Sequence, residues 1–163
     1  MAGRGLSGRY FIRPMLRADL AELTDLWIES WSATFPAIDF EARRGWFVNR
    51  IVDLDEQGAA VLAAFDSETG AMAGFVAIDP RSHWLDQLAV APAYAGRGAA
   101  ADLMSMAEAA AGERIVLDVN LDNHRALRFY QKRGFVRVGE GTNPVSGLNT
   151  VMLEWRRAAQ DKD

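Results

Sequence analysis

Hydrophobic residues recur along the chain with two periods, which predict helices and strands. Spacings of three and four residues predict amphipathic helices, and short apolar runs between turn residues predict strands. In the first helix, Leu20, Leu23, Trp27 and Trp31 share one face after a predicted cap at Asp19. The predicted helices are residues 17–35, 40–54, 98–112 and 122–134, and the predicted strands are residues 9–14, 59–66, 72–79, 83–92, 114–120, 135–140 and 149–155.

The order of these elements predicts one α/β domain. Short turns join the three strands of residues 59–92, whereas helices connect the strands that follow. We therefore expect a mixed central sheet, with an antiparallel N-terminal meander and parallel crossover strands, flanked by helices. Because no repeat or linker interrupts the pattern, we expect a single domain over residues 1–163 with an ordered core at about 9–156. In the second helix, the residues expected to share a buried face are Trp46, Phe47, Ile51 and Leu54.

Composition narrows the possible functions. The chain has no cysteine and two histidines, so we expect no disulfide, no thiolate nucleophile and no metal site. The net charge of −4 argues against a dedicated nucleic-acid-binding surface, which would be basic. No apolar run approaches the roughly 20 residues that span a bilayer, and the first residues lack the apolar stretch of a signal peptide. These features predict a cytoplasmic protein that binds neither nucleic acid nor membrane.

Two glycines stand between a predicted strand and a predicted helix in LAVAPAYAGRGAAADLM, residues 88–104. Gly96 and Gly98 let the backbone approach another molecule, and the first N–H groups of a helix can bind an anion. One interpretation is a dinucleotide-binding turn, because GRGAAA fits G-x-G-x-x-A and Asp118 follows about 20 residues later. Against it, residues 91–95 separate the glycines from the strand, and a hairpin precedes the turn in place of an alternating parallel array.

The second interpretation is a resemblance carried by two segments. In the first, Ala95, Gly98 and Ala100 follow a Val-x-Pro sequence, where the GNAT superfamily of N-acetyltransferases has Gln/Arg-x-x-Gly-x-Gly/Ala. The second, LDVNLDNHRALRFYQKRGF, is similar to that superfamily's Asn-x-x-Asn-x-x-Ala-x-x-Phe-Tyr-x-x-x-Gly-Phe. Its matching residues are Asn120, Asn123, Ala126, Phe129, Tyr130, Gly134 and Phe135. Because both segments occur in order, the chain resembles this superfamily over residues 9–156, with Ala95 as a plain departure from its pattern.

The resemblance implies acetyl-CoA as the co-substrate. Its pantetheine arm would pair with the backbone of residues 88–90 like an added strand, and its diphosphate would lie on the amides of residues 95–101. Because Ala95 stands in place of Gln or Arg, we expect weakened binding of acetyl-CoA. Arg97 can add positive charge at this turn. Asn123 can bond the pantetheine, cap the helix that begins near Asp122, or do both. The expected cofactor-binding residues are Leu88, Ala89, Val90, Ala95, Gly96, Arg97, Gly98, Ala99, Ala100, Ala101, Asn120 and Asn123.

Three side chains are candidates for the chemistry. Acetyl transfer to an amine needs a neutral amine and a proton for the leaving thiolate. The resemblance places the Tyr130 hydroxyl near the cofactor sulfur as the candidate acid, and the alternative is an aromatic residue that only packs beside Phe129. Asp118 and Asp86 compete as the candidate base. Asp118 lies five residues before Asn123, where relatives that act on protein N-termini carry an acid, but either carboxylate could be merely hydrogen-bonded.

The early aromatic residues bear on the acceptor. In relatives the first two helices border the acceptor cleft, so Trp31 and Phe35 are candidate substrate contacts, although aromatics at helical spacing are usually core residues. The leading hypothesis is direct ternary-complex transfer to a primary amine of a small molecule. The alternatives are a protein N-terminus or lysine as acceptor, a non-catalytic acyl-CoA-binding module, and a dinucleotide-binding oxidoreductase. The last predicted strand could offer an edge for a homodimer.

Overall fold

The central sheet has eight strands in the computed structural model, which describes residues 2–144 and 146–159. The strands are β1 (Gly3–Arg4), β2 (Tyr10–Pro14), β3 (Ala60–Asp66), β4 (Met72–Asp79), β5 (Trp84–Val90), β6 (Arg114–Asn120), β7 (Val136–Thr142) and β8 (Asn149–Arg156). The helices are α1 (Leu20–Thr34), α2 (Arg44–Glu56), α3 (Ala99–Ala111) and α4 (His124–Lys132). The strand order is β1-β2-β3-β4-β5-β6-β8-β7, and only the β5–β6 pair in this described part is parallel. The predicted mixed α/β sheet is therefore confirmed, with one parallel pair.

Helices cover both faces of this sheet. On one face, Leu103 and Met104 of α3 pack in a buried cluster with Val76 of β4. On the other face, Phe47 of α2 packs in a second cluster with Phe75, the neighbouring residue of β4. Because both faces are covered, β4 is a nearly continuous apolar run, as expected for a central strand.

Asp19 does not cap α1 as predicted. Its backbone is helical, with φ −82° and ψ −14°, and its side chain makes no capping hydrogen bond to α1. The carboxylate instead accepts the Leu16 N–H at 2.7 Å and pairs with Arg13 at 2.6 Å. The prediction was wrong because a 3₁₀ turn over Arg17–Asp19 precedes α1, and Asp19 belongs to that turn.

Trp46 is not on the buried face of α2. It is 44% exposed, whereas Phe47, Ile51 and Leu54 are buried against the sheet. The three buried residues lie within about 60° of one another around a helix, and Trp46 lies about 100° from Phe47. A 3₁₀ turn over Glu41–Arg43 also delays the start of α2 relative to the predicted helix.

The predicted dimer edge is also wrong. β8 pairs with β6 on one side and with β7 on the other, so its backbone hydrogen bonds are used within the sheet. The strand at this end of the sheet is β7. The sequence could not show this, because the order of β7 and β8 depends on pairing between β8 and the distant strand β6.

Strands β5 and β6 diverge, and this divergence positions the functional site. They pair in register at one position, Trp84 with Val116. On its other edge, β5 pairs with β4 through Leu85 and then through Gln87. Asp86, between them, is therefore the extra residue of a β-bulge in β5. A bulge bends its strand, and beyond it β5 follows β4 while β6 follows β8. The gap leaves the far edge of residues 88–90 without a neighbouring strand.

Candidate active site

A cavity of about 370 Å³ lies between β5 and α4, where the strands diverge. Its walls are the last residues of β5, the turn before α3, the start of α3 and one side of α4. The predicted cofactor residues that line it are Leu88, Ala89, Val90, Ala95, Gly96, Gly98, Ala99, Ala100, Ala101 and Asn123. Arg97 is exposed and borders a different cavity beside Tyr10, and Asn120 lines the acceptor cavity defined below.

The turn before α3 presents backbone N–H groups to this cavity. Gly96 and Gly98 have φ values of +74° and +85°, a conformation that glycine adopts without steric cost. The first bond of the helical ladder runs from the Asp102 N–H to the Gly98 carbonyl at 3.1 Å. The N–H groups of residues 99–101 therefore precede the ladder and lie at the positive end of the helix dipole. A Cβ added to Gly98 would meet no described atom within 4 Å, so the space before this turn is open.

Two of the amides expected to bind the diphosphate already have partners. The Ala95 N–H donates to the Pro92 carbonyl and the Arg97 N–H donates to the Tyr94 carbonyl, each at 3.2 Å. The donors that the turn offers are thus Gly96, Gly98 and residues 99–101. Arg97 also directs its carbonyl to the Tyr10 hydroxyl at 2.9 Å, which anchors the turn to β2.

Arg125 is a residue of this cavity that the sequence analysis missed. It is the second residue of α4, and its Nη2 lies 3.8 Å from the position of a Cβ on Gly96. No carboxylate of the described residues lies within 4 Å of its guanidinium. Arg125 therefore adds positive charge to the glycine turn from another element. The signal available in the sequence was that Arg125 is a basic residue within the second of the two motif segments.

A second cavity, of about 720 Å³, lies between the α1–α2 region and the open ends of β5, β6 and β8. We call it the acceptor cavity. Its lining combines aromatic side chains with four charged residues, Arg43, Arg50, Asp86 and Asp118. The two cavities share Trp31, Leu88, Asn123, Ala126 and Tyr130 in their linings.

Tyr130 lies at the boundary between the two cavities. It is 6% exposed and packs edge-to-face against Phe129 and Phe135, with centroid distances of 5.3 and 5.2 Å. Its hydroxyl has no hydrogen-bond partner among the described residues. Burial raises the pKa of Tyr130, so the phenol stays protonated at neutral pH. The side chain thus combines the packing role and a free hydroxyl donor.

The two candidate bases have different surroundings. Asp118 lies on β6, is exposed to the acceptor cavity and has no cationic partner within 4 Å in the described part of the chain. The cavity walls desolvate its carboxyl group, which raises the pKa of Asp118. Asp86, at the bulge of β5, forms a two-pronged ion pair with Arg50 of α2, and its side chain is 9% exposed. Arg50 therefore occupies the Asp86 carboxylate, whereas Asp118 remains available.

The two asparagines have separate positions. The Asn123 side chain accepts the Ala126 N–H at 3.2 Å and caps α4, which begins at His124. Asn120 ends β6 opposite Thr150 of β8, and its Oδ1 is buried without a hydrogen-bond partner among the described residues. The capping prediction for Asn123 is confirmed, with a helix start two residues later than expected.

Trp31 and Phe35 stack on each other at the C-terminal end of α1. Their ring centroids are 5.8 Å apart and their planes differ by 7°. Both are half-buried and both line the acceptor cavity. The structure therefore separates them from Trp27, which is 4% exposed and stacks on Phe47 in the core.

The fold and site together define a mixed sheet whose central strands diverge, with an open strand edge beside a glycine turn at the start of a helix. Residues 20–135 match the model of the Acetyltransferase (GNAT) family. The chain belongs to this family, and the resemblance carried by its two sequence segments is confirmed.

Solved structures of other proteins share this fold. One is the crystal structure of histone acetyltransferase HPA2 and related acetyltransferase from Corynebacterium glutamicum. It matches this chain with a TM-score of 0.73 at 21% identity, and the match covers 94% of this chain and 99% of that protein. PaiA N-acetyltransferase from Thermoplasma acidophilum, solved in complex with coenzyme A, has a TM-score of 0.72 at 21% identity, covering 91% and 99%. These identities show the fold alone.

An uncharacterized N-acetyltransferase of Mycobacterium tuberculosis is 39% identical to this chain over 85 residues. The match covers 50% of this chain and 54% of the relative, so the chain spans about half the length of that curated relative. Within residues 2–144 and 146–159, no helix has the length and apolar character needed to cross a membrane.

Proposed function

We propose that this chain transfers the acetyl group of acetyl-CoA to a primary amine of a small molecule. The observation that carries the proposal is the meeting of two different cavities at Tyr130. The cavity beside the glycine turn offers backbone N–H donors, and the acceptor cavity offers aromatic walls and the free carboxylate of Asp118. A thioester in the first cavity and an amine in the second would meet beside the Tyr130 hydroxyl.

The first cavity fits an acyl-CoA. The unpaired edge of residues 88–90 can hydrogen-bond the amides of a pantetheine arm, in the manner of an added strand. The N–H groups of residues 99–101 and the Arg125 guanidinium can bind a diphosphate. A side chain at position 98 would project into the open space in front of Gly98 and would exclude the diphosphate.

The residues of the two cavities supply what acetyl transfer needs. The amine nitrogen forms a bond to the carbonyl carbon of the thioester, and the carbon–sulfur bond then breaks. Asp118 accepts the proton lost by the amine, directly or through water, and its raised pKa makes it a better base. The Tyr130 hydroxyl donates a hydrogen bond to the departing sulfur and supplies the proton as charge develops there. The products are an amide and a free thiol.

Transfer takes place directly between the two bound substrates in this proposal. The chain has no cysteine, so no cysteinyl acyl intermediate can form. The shared lining at Tyr130 also allows both substrates to be present at once. Double-reciprocal plots at several fixed concentrations of the second substrate are expected to intersect, and parallel lines would contradict a ternary complex.

The deciding experiment follows thiol release from acetyl-CoA in the presence of amino acids, polyamines, aminoglycosides, peptides and proteins. Calorimetric binding of acetyl-CoA and of NAD is measured on the same preparation. Acetyl-CoA binding with release of thiol by a small amine supports the proposal. Binding without turnover over the whole panel indicates an acyl-CoA-binding module, preference for peptides or proteins indicates a macromolecular acceptor, and selective NAD binding indicates a dinucleotide site.

A further inference from the structure

A free cation lies on the helix side of the acceptor cavity. The Arg43 guanidinium packs over the Phe40 ring, with 5.4 Å between its Cζ and the ring centroid. No described carboxylate lies within 4 Å of it, whereas the next arginine along the chain, Arg44, pairs with Glu41 at 2.8 Å. Arg43 therefore holds a positive charge at the cavity wall without an anionic partner among the described residues.

A buried hydrogen-bond donor flanks the same ring. Trp27 lies edge-on to Phe40, with centroids 5.6 Å apart and planes at 88°. Its Nε1 is buried and has no hydrogen-bond partner among the described residues. Trp27 thus holds the Phe40 ring in place under the Arg43 guanidinium.

The sheet side of the cavity has the opposite character. Asp118 carries a free carboxylate, and Asn120 and Thr150, opposite each other on β6 and β8, have buried oxygens without partners in the described part of the chain. Of these oxygens, those of the Asp118 carboxylate face the cavity and can accept hydrogen bonds from an amine. The cavity thus has donors on its helix side and acceptors on its sheet side.

The charges of the lining sum to one free cation and one free anion. Arg50 and Asp86 neutralise each other in their ion pair, which leaves Arg43 and Asp118. A polyamine or aminoglycoside would bring several cations to a cavity with one free carboxylate. A molecule with one positive and one negative group would match both free charges.

We propose that the acceptor is a zwitterion, a primary amine that also bears a carboxylate and an apolar, aromatic group. The inference rests on the proposed acetyl transfer and specifies its substrate. The carboxylate lies against Arg43, and the amine lies against Asp118. The aromatic group packs on the stacked rings of Trp31 and Phe35.

The first test compares matched acceptors by thiol release from acetyl-CoA. Two probes carry both charges, namely L-phenylalanine and 4-(aminomethyl)benzoate, in which a ring separates the charges. Phenethylamine lacks the carboxylate, L-alanine lacks the ring, and spermidine has cations alone. We expect the better of L-phenylalanine and 4-(aminomethyl)benzoate to exceed each of the other three in kcat/KM by about tenfold or more, since a charged hydrogen bond and a buried aromatic ring each supply a factor of that order.

The second test uses variants of Arg43. Arg43→Gln is expected to lower kcat/KM for the preferred zwitterion by about 10- to 100-fold and to leave phenethylamine within about twofold. Arg43→Lys should retain part of the preference. Arg17→Gln is the control, because Arg17 is an exposed arginine outside the cavity lining, paired with Glu56 at 3.2 Å.

The outcomes separate the substrate inference from the proposed function. A preference for phenethylamine or spermidine, or equal loss in Arg43→Gln for acceptors with and without a carboxylate, overturns the zwitterion and leaves acetyl transfer standing. Preference for a peptide N-terminus does the same. Absence of thiol release with every amine, in a protein that binds acetyl-CoA, overturns both.

Discussion

The guanidinium of Arg125 lies beside Gly96, with its Nη2 3.8 Å from the position of a Cβ on that glycine. Arg125 belongs to α4 and Gly96 to the turn before α3, so two distant segments meet at the proposed diphosphate site. In this chain, residue 95 is alanine where the family pattern has Gln or Arg. Arg125 therefore supplies from α4 a charge that Ala95 cannot supply.

Arg125→Gln is the first prediction. Loss of a charged hydrogen bond to the diphosphate is expected to raise the dissociation constant of acetyl-CoA by about tenfold, measured by calorimetry. Arg128→Gln is the matched control, since Arg128 is an exposed arginine of α4 outside both cavity linings. Adding Ala95→Gln to Arg125→Gln should recover part of the loss. Equal affinity in the two arginine variants would show that Arg125 does not contact the cofactor.

Local patterns predicted the parts of this fold that depend on nearby residues. The glycine turn, the Asn123 cap and the order of strands and helices are encoded within a few positions. The pairing of Arg50 with Asp86 joins α2 to a bulge on β5, and the spacing of hydrophobic residues contains no record of a bulge. The approach of Arg125 to Gly96 likewise depends on the tertiary arrangement that brings α4 beside the turn before α3, so the motifs predicted the candidate cofactor site without this arginine.

Gly98→Val is the second prediction. Valine at this position would project into the space in front of the turn, and we expect no measurable acetyl-CoA binding by calorimetry. Backbone strain alone is controlled by Gly58→Val, because Gly58 has a similar φ of +92°, open space around it and a place outside both cavities. Both variants should lose similar stability in thermal unfolding. Retained affinity in Gly98→Val would contradict the diphosphate site.

Asp118→Asn is the third prediction, tested against Asp86→Asn. If Asp118 is the base, kcat for Asp118→Asn should fall by about 10²- to 10⁴-fold, and Asp86→Asn should lower kcat far less, because Arg50 already occupies that carboxylate. In the wild type, kcat should decline as the pH falls through the raised pKa of Asp118. The pH–rate profile is then measured with two acceptors whose amine pKa values differ. The part of the profile that reflects Asp118 should stay at the same pH, and the part that reflects the amine should move.

Stability gives an independent test of the Asp118 environment. The pKa of Asp118 is raised in the folded chain, so proton binding by its carboxyl group favours the folded state. This contribution to stability is complete below the unfolded pKa and is lost as the pH rises through the folded pKa. At pH 7 the desolvated carboxylate destabilises the fold. Asp118→Asn should therefore have an equal or higher Tm than wild type at pH 7, and this gain should disappear below about pH 4. A lower Tm at pH 7 would show that the carboxylate has a stabilising partner.

Tyr130→Phe is the last prediction. Removal of the hydroxyl should preserve ring packing against Phe129 and Phe135, so the fold and the acetyl-CoA dissociation constant should stay near wild-type values. A general acid typically contributes about 10²- to 10⁴-fold, and kcat should fall by that factor. Burial raises the pKa of Tyr130, so the phenol keeps its proton until negative charge develops on the departing sulfur.

The loss in Tyr130→Phe should therefore shrink with an acetyl donor whose thiol is more acidic, because such a thiolate needs less help to leave. Near-normal kcat in the variant would make Tyr130 a packing residue and assign the proton to water. A parallel loss of cofactor affinity and turnover would instead assign the hydroxyl to positioning the thioester. Comparing kcat with a separately measured dissociation constant distinguishes these outcomes, since an interaction made only in the transition state lowers kcat and leaves ground-state binding intact.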